Sequence, residues 1–216
     1  LPNYLRRGFR KTGEEVYKCQ NFANPFGGDV DVSVFESHMT AGSHHLLLFY
    51  KPVAQDGPLQ DCSGLEFAAT PYSTQLPDDS VAFPPGVAAT IPEGTGLRLQ
   101  SHYLNTTAST VTAHVEMTFH LAAPGTVKDR AAVMFIVQPN INIPPNTTQD
   151  VEYDCTVPLD MSVLKTASHM HKHGTKFTST VAAARAGRVA AAVATSSVAS
   201  RGMRRQFMDR SPRGAG

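Results

Sequence analysis

The chain has 216 residues, of which 41% are hydrophobic and 17% are charged, and its formal net charge is +1. This length is sufficient for one domain or two small ones, and the composition excludes fibrous and intrinsically disordered proteins. No apolar run reaches the roughly 18 residues that a transmembrane helix requires, so no membrane span is predicted.

Short β-strands are predicted from about residue 15 to residue 143, where apolar and polar residues alternate or form brief apolar runs. Clusters of proline, glycine and asparagine separate these runs and would interrupt any helix. We expect strands over residues 30–35, 45–50, 96–103, 110–121 and 131–137. The sequence therefore predicts an all-β protein.

Residues 122–125, with the sequence Ala-Ala-Pro-Gly, follow a long predicted strand and form the best candidate linker between two β-modules. We therefore predict two β-sandwich domains of the jelly-roll kind, of which the second is incomplete. The predicted organisation is an N-terminal linker over 1–14, a first domain over 15–123, a second domain over 124–180 and a tail over 181–216.

The tail over residues 181–216 differs from the rest of the chain, since alanine, arginine and glycine make up 21 of its 36 residues. A disordered basic tail and an alanine-rich helix over 182–194 are two interpretations. A basic run is usually solvated, so no nucleic-acid partner is expected. We favour a third interpretation, a shift of reading frame near residue 180, because GC-rich DNA translated out of frame yields this mixture. The second domain would then lack its native C-terminal part.

Five of the nine histidines occur in three short, strand-like contexts, and these five are the main functional signal. They are His44, His45, His102, His169 and His171. In an extended segment, His169 and His171 point to the same face, where two imidazoles can chelate a metal ion. His44 and His45 are adjacent, so both reach one metal only if the strand is locally distorted or different ring nitrogens bind. Gln100 shares the predicted face of His102.

The ligand types favour copper or zinc, because imidazole suits both metals and a thioether ligand would favour copper. No aspartate or glutamate stands beside these histidines, which disfavours a carboxylate-rich iron or magnesium site. Two alternatives remain open for the histidines themselves: buried residues that serve packing, and a histidine-rich stretch on an exposed strand that binds nothing. No Ser-His-Asp arrangement or phosphate-binding glycine loop competes as a catalytic site.

Three motifs together carry a family resemblance: SHHLLLF (residues 43–49), LQSHY (99–103) and HMHKHG (169–174). In order and separation they resemble the copper type II, ascorbate-dependent monooxygenases, which include peptidylglycine α-hydroxylating monooxygenase and dopamine β-monooxygenase. The resemblance covers about residues 15–180. It implies two copper ions, one in each jelly-roll domain, and hydroxylation of a C–H bond of a small-molecule substrate. O2 would be the oxidant and ascorbate the electron donor.

The resemblance also implies which residues hold each copper ion. The electron-transfer copper would be held by His44, His45 and His102, with Gln100 close to it. The copper at which oxygen binds would be held by His169 and His171, the expected catalytic residues.

Two departures from the family bear on activity. The arginine that precedes the second histidine motif in peptide-amidating members is replaced by Ala167, so peptide amidation is not expected. The family's methionine ligand lies well downstream, whereas Met203 and Met208 come too early and within the aberrant tail. The resemblance thus leaves two outcomes open for this chain, an active hydroxylase or an inactive copy without a complete catalytic copper site.

The three cysteines fit the same resemblance. Cys19 and Cys62 flank His44 as in a family disulfide, so we predict that they are bonded to each other. Cys155 matches a family cysteine whose partner is missing here. A disulfide implies an oxidising compartment, and we expect the protein to be secreted, periplasmic or in the secretory lumen.

Two further functions compete with the monooxygenase. The first is a non-catalytic protein that keeps the site of His44, His45 and His102 for copper binding or electron transfer. The second is a β-domain in which the histidine clusters bind structural zinc. Metal content distinguishes the three: two copper ions per chain, one copper ion, or zinc alone.

Overall fold

The structure is a computed structural model that describes residues 14–64, 66, 68–138, 140–156, 161–169 and 174–180, and the backbone of residues 7–9, 181–184 and 188–199. Its strands are β1 (Arg7–Phe9), β2 (Glu15–Phe22), β3 (Val30–Met39), β4 (Ser43–Lys51), β5 (Gln60–Asp61), β6 (Tyr72–Thr74), β7 (Asp78–Ala82), β8 (Val87–Ile91), β9 (Gly96–Leu104), β10 (Val111–Ala113), β11 (Val115–Leu121), β12 (Asp129–Arg130), β13 (Thr148–Cys155), β14 (Gly174–Ala184) and β15 (Arg188–Ala199). No helix occurs among these residues, so the prediction of an all-β protein is confirmed.

The chain divides into two compact units, Leu1–Met134 and Phe135–Gly216. The first unit contains β1 to β12, and the second contains β13 to β15. These two units are compact parts of the chain. The bounds of the two sandwich domains that were predicted from the sequence remain a prediction. In the part of the chain that the structure describes, no helix is long and apolar enough to cross a membrane.

Two five-stranded sheets form the first unit. The first sheet has the order β5-β2-β9-β4-β6 and is antiparallel throughout. The second sheet has the order β11-β3-β8-β12, and β7 also pairs with β3. Its one parallel pair is β12 with β8. A short ladder of β1 and β10 lies outside both sheets. This architecture is a β-sandwich, as the alternation of apolar and polar residues predicts.

The core of the sandwich is built from the apolar face of each sheet. Leu46 and Leu48 of β4 and Leu97 of β9 are at most 1% exposed and contact the same cluster as Phe35 and Val32 of β3. Burying one such side chain contributes about 1.5–3 kcal/mol to folding. Because side chains alternate along a strand, the residues between these apolar ones lie on the opposite face of the first sheet. That opposite face carries the candidate site.

Two tyrosines join the sheets by hydrogen bonds across the core. Tyr50 of β4 donates its hydroxyl to the carbonyl oxygen of Thr90 in β8 over 2.5 Å. The hydroxyl of Tyr72 in β6 lies 2.7 Å from Oγ of Ser37 in β3. A buried hydroxyl that found no partner would lose free energy, so these contacts also specify how the two sheets pair.

The second unit contains a three-stranded sheet in the order β13-β15-β14. This sheet includes residues 188–199, so the alanine-rich helix considered for 182–194 is wrong. The backbone of this segment is paired with β13, with Cys155 opposite Ala192. Valine occurs three times and threonine once within it, and such β-branched residues favour a strand when a neighbouring strand is available.

The strand predicted over residues 131–137 is also wrong, because residues 131–138 have no strand pairing. Only the two residues of β12, immediately before this segment, pair with β8. Val133 and Phe135 are 43% and 53% exposed. Alternation describes the two faces that a strand would have, but a strand also requires a neighbour to accept its backbone hydrogen bonds.

Candidate metal centre

The outer face of the first sheet, meaning its face opposite the core, brings together polar residues of three adjacent strands. β9 is central, with Tyr17 of β2 opposite His102 on one side and His45 of β4 opposite His102 on the other. Two residues further along β2, Cys19 is opposite Gln100 of β9 in the same register. Residues that are directly opposite in a ladder share a face. The ladder therefore places the two histidines side by side.

A β-bulge brings His44 to the same place. Ser43 pairs with Tyr103 and His45 pairs with His102, and the register shifts between Ser43 and His45. His44 is the extra residue on β4, so it does not have to point to the face opposite His45. The structure therefore contains the local distortion that two adjacent histidines need if they are to reach one metal ion.

The three imidazoles converge. Each of His44, His45 and His102 offers a ring nitrogen, and these nitrogens all lie within 4.8 Å of one another. The ring centroids are 5.4 Å apart for His44 and His45, 5.0 Å for His44 and His102, and 4.9 Å for His45 and His102. Imidazole nitrogens bound to one ion at about 2.0–2.1 Å would be roughly 3–4 Å apart, so side-chain adjustments of about 1 Å would suffice. The donor set fits copper or zinc.

His102 is the most buried of the three histidines and is contacted by both Tyr17 and Glu15. The residue is 5% exposed, whereas His44 and His45 are partly exposed. The ring of Tyr17 stacks on the ring of His102, with centroids 3.9 Å apart and planes inclined by 9°. Oε1 of Glu15 lies 2.6 Å from Nε2 of His102. Burial, and then the charge of Glu15, raise the pKa of the Tyr17 hydroxyl, so Tyr17 is neutral at neutral pH.

The predicted disulfide between Cys19 and Cys62 is confirmed, with the two Cα atoms 5.9 Å apart. It lies beside Gln100, which is fully buried. The Gln100 side-chain amide donates to the carbonyl oxygen of Ser63 over 3.2 Å and contacts the sulfur of Cys19 at 3.7 Å. Gln100 therefore joins the disulfide loop to the strand that carries His102. Its predicted place beside a copper ion stays a prediction.

The loop that follows Cys62 is anchored on the outer face. Gly64 packs against the ring of Tyr17, and a Cβ at Gly64 would lie only 3.3 Å from that ring. Further along the loop, the carboxylate of Glu66 contacts Nζ of Lys51 at 2.7 Å and the guanidinium of Arg98 at 3.3 Å. The loop thus contacts the ring of Tyr17, which in turn stacks on the ring of His102.

The second predicted copper site is only partly within the described residues. His169 is exposed and lies in a segment, 161–169, that has no strand pairing. His171 lies outside the residues that the structure describes. The next strand, β14, begins at Gly174. Cys155 is a free cysteine. The ligand roles of His169 and His171 therefore stay predictions.

Other histidines pair with carboxylates on the second sheet. His38 of β3 forms an ion pair with Asp78 of β7. The hydrogen bond to Asp78 raises the pKa of His38, and the charges of Asp78 and Glu116 act in the same direction. His120 contacts Glu36 at 2.9 Å. Among the described residues, the cluster of His44, His45 and His102 is the one group of three side chains suited to a metal ion.

Two residues of the candidate site were not identified from the sequence, namely Glu15 and Tyr17. Both precede Cys19 at intervals of two residues, so the alternation of β2 places all three on one face. That signal was present in the sequence. The sequence does not show, however, that β2 pairs with β9, and only this pairing brings the face next to His102.

No family model matches the chain, and no curated protein is significantly similar to it in sequence. The resemblance to copper monooxygenases therefore rests on the three motifs, and the function rests on the site itself.

Proposed function

We propose that this chain is a copper-dependent monooxygenase driven by ascorbate, with its electron-transfer copper held by His44, His45 and His102. The observation that carries the proposal is the convergence of three imidazoles from two strands at a β-bulge. Adjacent histidines in a regular ladder would point to opposite faces, so the bulge has a direct consequence for metal binding. Bulges of this kind are over-represented beside functional sites.

The chemistry follows from the ligand set. His44, His45 and His102 would hold the copper ion through neutral imidazoles, and the bound ion would supply one-electron exchange between Cu(I) and Cu(II). The protein residues fix the geometry: β4 and β9 hold the three rings on a rigid sheet, and Tyr17 holds the plane of His102. His44 and His45 are partly exposed, so a small reductant such as ascorbate would approach the centre from their side.

The hydroxylation itself is the further part of the proposal and rests on His169 and His171. One oxygen atom of O2 would enter a C–H bond of a small-molecule substrate, and the other would leave as water. This balance requires two electrons, supplied singly by ascorbate, and two protons. The formation of a disulfide supports an oxidising location, which we propose to be secreted, periplasmic or in the secretory lumen.

A non-catalytic copper-binding or electron-transfer protein is the second candidate. One observation favours it: His169 is exposed in a segment without strand pairing, whereas the first site is supported on a sheet. Sites built on strands or helices hold their ligands more precisely than sites on loops. The two candidates share the first copper site and differ only in the second.

Copper binding is tested with the disulfide-bonded chain, loaded with Cu(II) and measured by metal analysis and electron paramagnetic resonance. We expect His102→Ala to weaken binding at the first site by more than the roughly 10–100-fold that follows loss of a supporting hydrogen bond. His38→Ala is the matched control, because His38 is an exposed histidine on the second sheet. A chain that binds zinc but no copper, or binds copper equally well after His102→Ala, would contradict the proposal.

Catalysis is tested by ascorbate-dependent oxygen consumption in the copper-loaded chain. The monooxygenase predicts two copper ions per chain and an oxygen uptake that is lost in His169→Ala but kept in His38→Ala. One copper ion per chain, with no uptake above that of His169→Ala, would instead identify the non-catalytic copper protein.

A further inference from the structure

Glu15 is placed by the sheet to act on one metal-binding histidine. β2 and β9 are antiparallel, with Tyr17 opposite His102, and Glu15 lies two residues before Tyr17 on the same face. From this diagonal position its carboxylate reaches the ring of His102, with 2.6 Å between Oε1 and Nε2. A diagonal neighbour in a sheet is within reach of a long side chain.

The contact determines which ring nitrogen of His102 carries the hydrogen. An ionised carboxylate only accepts hydrogen bonds, so Nε2 must be the donor. In a neutral imidazole the other nitrogen, Nδ1, then has the lone pair available for a metal. The stacked ring of Tyr17 adds a second restraint, because it fixes the plane in which the imidazole lies.

We propose that Glu15 is a positioning residue of the copper centre, which holds His102 with Nε2 protonated and presents Nδ1 to the ion. This inference rests on the proposed function, since it concerns the same site. A carboxylate on the distal nitrogen also makes the imidazole a more basic ligand. Greater basicity stabilises Cu(II) more than Cu(I), so Glu15 lowers the reduction potential of the bound copper.

If the contact between Glu15 and His102 were only a structural ion pair, removal of Glu15 would not affect the metal-binding properties of His102. The side chain of Glu15 is 55% exposed, and exposed pairs contribute little to stability. Removal of Glu15 should therefore leave the melting temperature of the metal-free chain nearly unchanged. A change in the His102 tautomer, in copper affinity or in reduction potential is specific to the positioning role.

The variants are Glu15→Ala, which removes the carboxylate, and Glu15→Gln, which keeps the shape and an acceptor oxygen. Glu36→Gln is the matched control, because Glu36 makes the same kind of contact with His120 at 2.9 Å on the second sheet. Its side chain is 50% exposed, close to the 55% of Glu15. All four proteins are measured as the full, disulfide-bonded chain.

The first measurement is nitrogen-15 nuclear magnetic resonance of the metal-free chain, which reports the tautomer of His102. We expect the Nε2–H form in the unmodified chain and in Glu36→Gln, and a mixture of tautomers in Glu15→Ala. The second is copper titration with determination of the reduction potential. Glu15→Ala should weaken Cu(II) binding by about 10–100-fold and raise the potential, with Glu15→Gln in between and Glu36→Gln unchanged.

The outcomes separate the inference from the proposed function. If the unmodified chain binds copper at His102 and Glu15→Ala has the same tautomer, affinity and potential, the role of Glu15 is refuted while the copper site stands. If the unmodified chain binds no copper, the proposed function fails, and the inference fails with it.

Discussion

At the scale of single residues, Gly96 shows how strictly the backbone of the site strand is constrained. Gly96 is the first residue of β9, the strand that carries Gln100 and His102. A Cβ at Gly96 would overlap the carbonyl group of Val53 and lie 3.1 Å from the Cα of Ala54. Both neighbours are backbone atoms, which cannot move aside as the end of a side chain can. Only glycine permits this close approach.

We predict that Gly96→Ala destabilises the first unit strongly. Overpacking typically costs about 1–3 kcal/mol, and a clash with backbone should reach or exceed the upper end. The control is Gly28→Ala, because a Cβ at Gly28 meets no atom within 4 Å. Urea denaturation of both variants tests this. Equal midpoints for Gly96→Ala and the unmodified chain would show that the chain around Val53 relaxes freely.

The residues of the candidate site differ in whether the sequence alone identifies them. His44, His45 and His102 were identified from their motifs, since the chemistry of imidazole is a property of the residue itself. Glu15 and Tyr17 were not, because their role exists only through their distance from His102. A glutamate or tyrosine in a strand has no local feature that marks it as the partner of a distant histidine.

At the scale of elements, the cluster of His44, His45 and His102 lies next to the junction between β2, β9 and the loop after β5. The disulfide closes a sequence separation of 43 residues between Cys19 in β2 and Cys62 in that loop. Gln100 in β9 then donates to Ser63 of the same loop. The loop is therefore attached to both strands that support His102. Loss of the covalent link should affect stability and the site together.

We predict that the double variant Cys19→Ala/Cys62→Ala lowers the free energy of unfolding by about 3–4 kcal/mol, as expected for a loop of this length. Copper affinity should also fall, since Gln100 loses its fixed partner at Ser63. Cys155→Ala is the control, because Cys155 is a free cysteine. The measurements are thermal denaturation without reductant and copper titration. An unchanged melting temperature in the double variant would mean that the loop is held without the disulfide.

At the scale of the whole first unit, the two sheets are connected by buried tyrosine hydroxyls. Burial raises the pKa of Tyr50 to about 12. Burial also raises the pKa of Tyr72, well above its usual value. The folded state therefore retains these protons at a pH at which the unfolded chain releases them. Stability is fully present below the unfolded pKa near 10 and is lost as the pH rises through the folded value.

We predict that the free energy of unfolding decreases between about pH 10 and 12, where these tyrosines ionise in the unfolded chain but not in the folded one. For Tyr50 alone this decrease is at most about 2–3 kcal/mol, and partial exposure of its side chain to solvent lowers that figure. Tyr50→Phe should reduce this slope, although it also loses the hydrogen bond to Thr90. Tyr153→Phe in the second unit is the control. Urea denaturation between pH 8 and pH 11 is the measurement, and a pH-independent stability would contradict the role of these tyrosines.

The all-β class could be predicted from the sequence alone, and so could the strands around residues 30–35, 45–50 and 96–103, which the structure extends to β3, β4 and β9. Alternation is a local property, so it is readable wherever one face of a strand is buried. The histidine motifs were equally local. The disulfide came from the family resemblance, which relates distant positions in a way that composition and periodicity do not.

Which strands are neighbours is visible only in the folded chain, and the geometry of the candidate site follows from that pairing. The pairing of β4 with β9 includes the bulge that brings His44 beside His45, and the pairing of β2 with β9 brings Glu15 to His102. The failure of the strand predicted over 131–137 has the same origin. A sequence specifies the faces that a strand can present, but backbone hydrogen bonds and contacts across a ladder belong to pairs of strands.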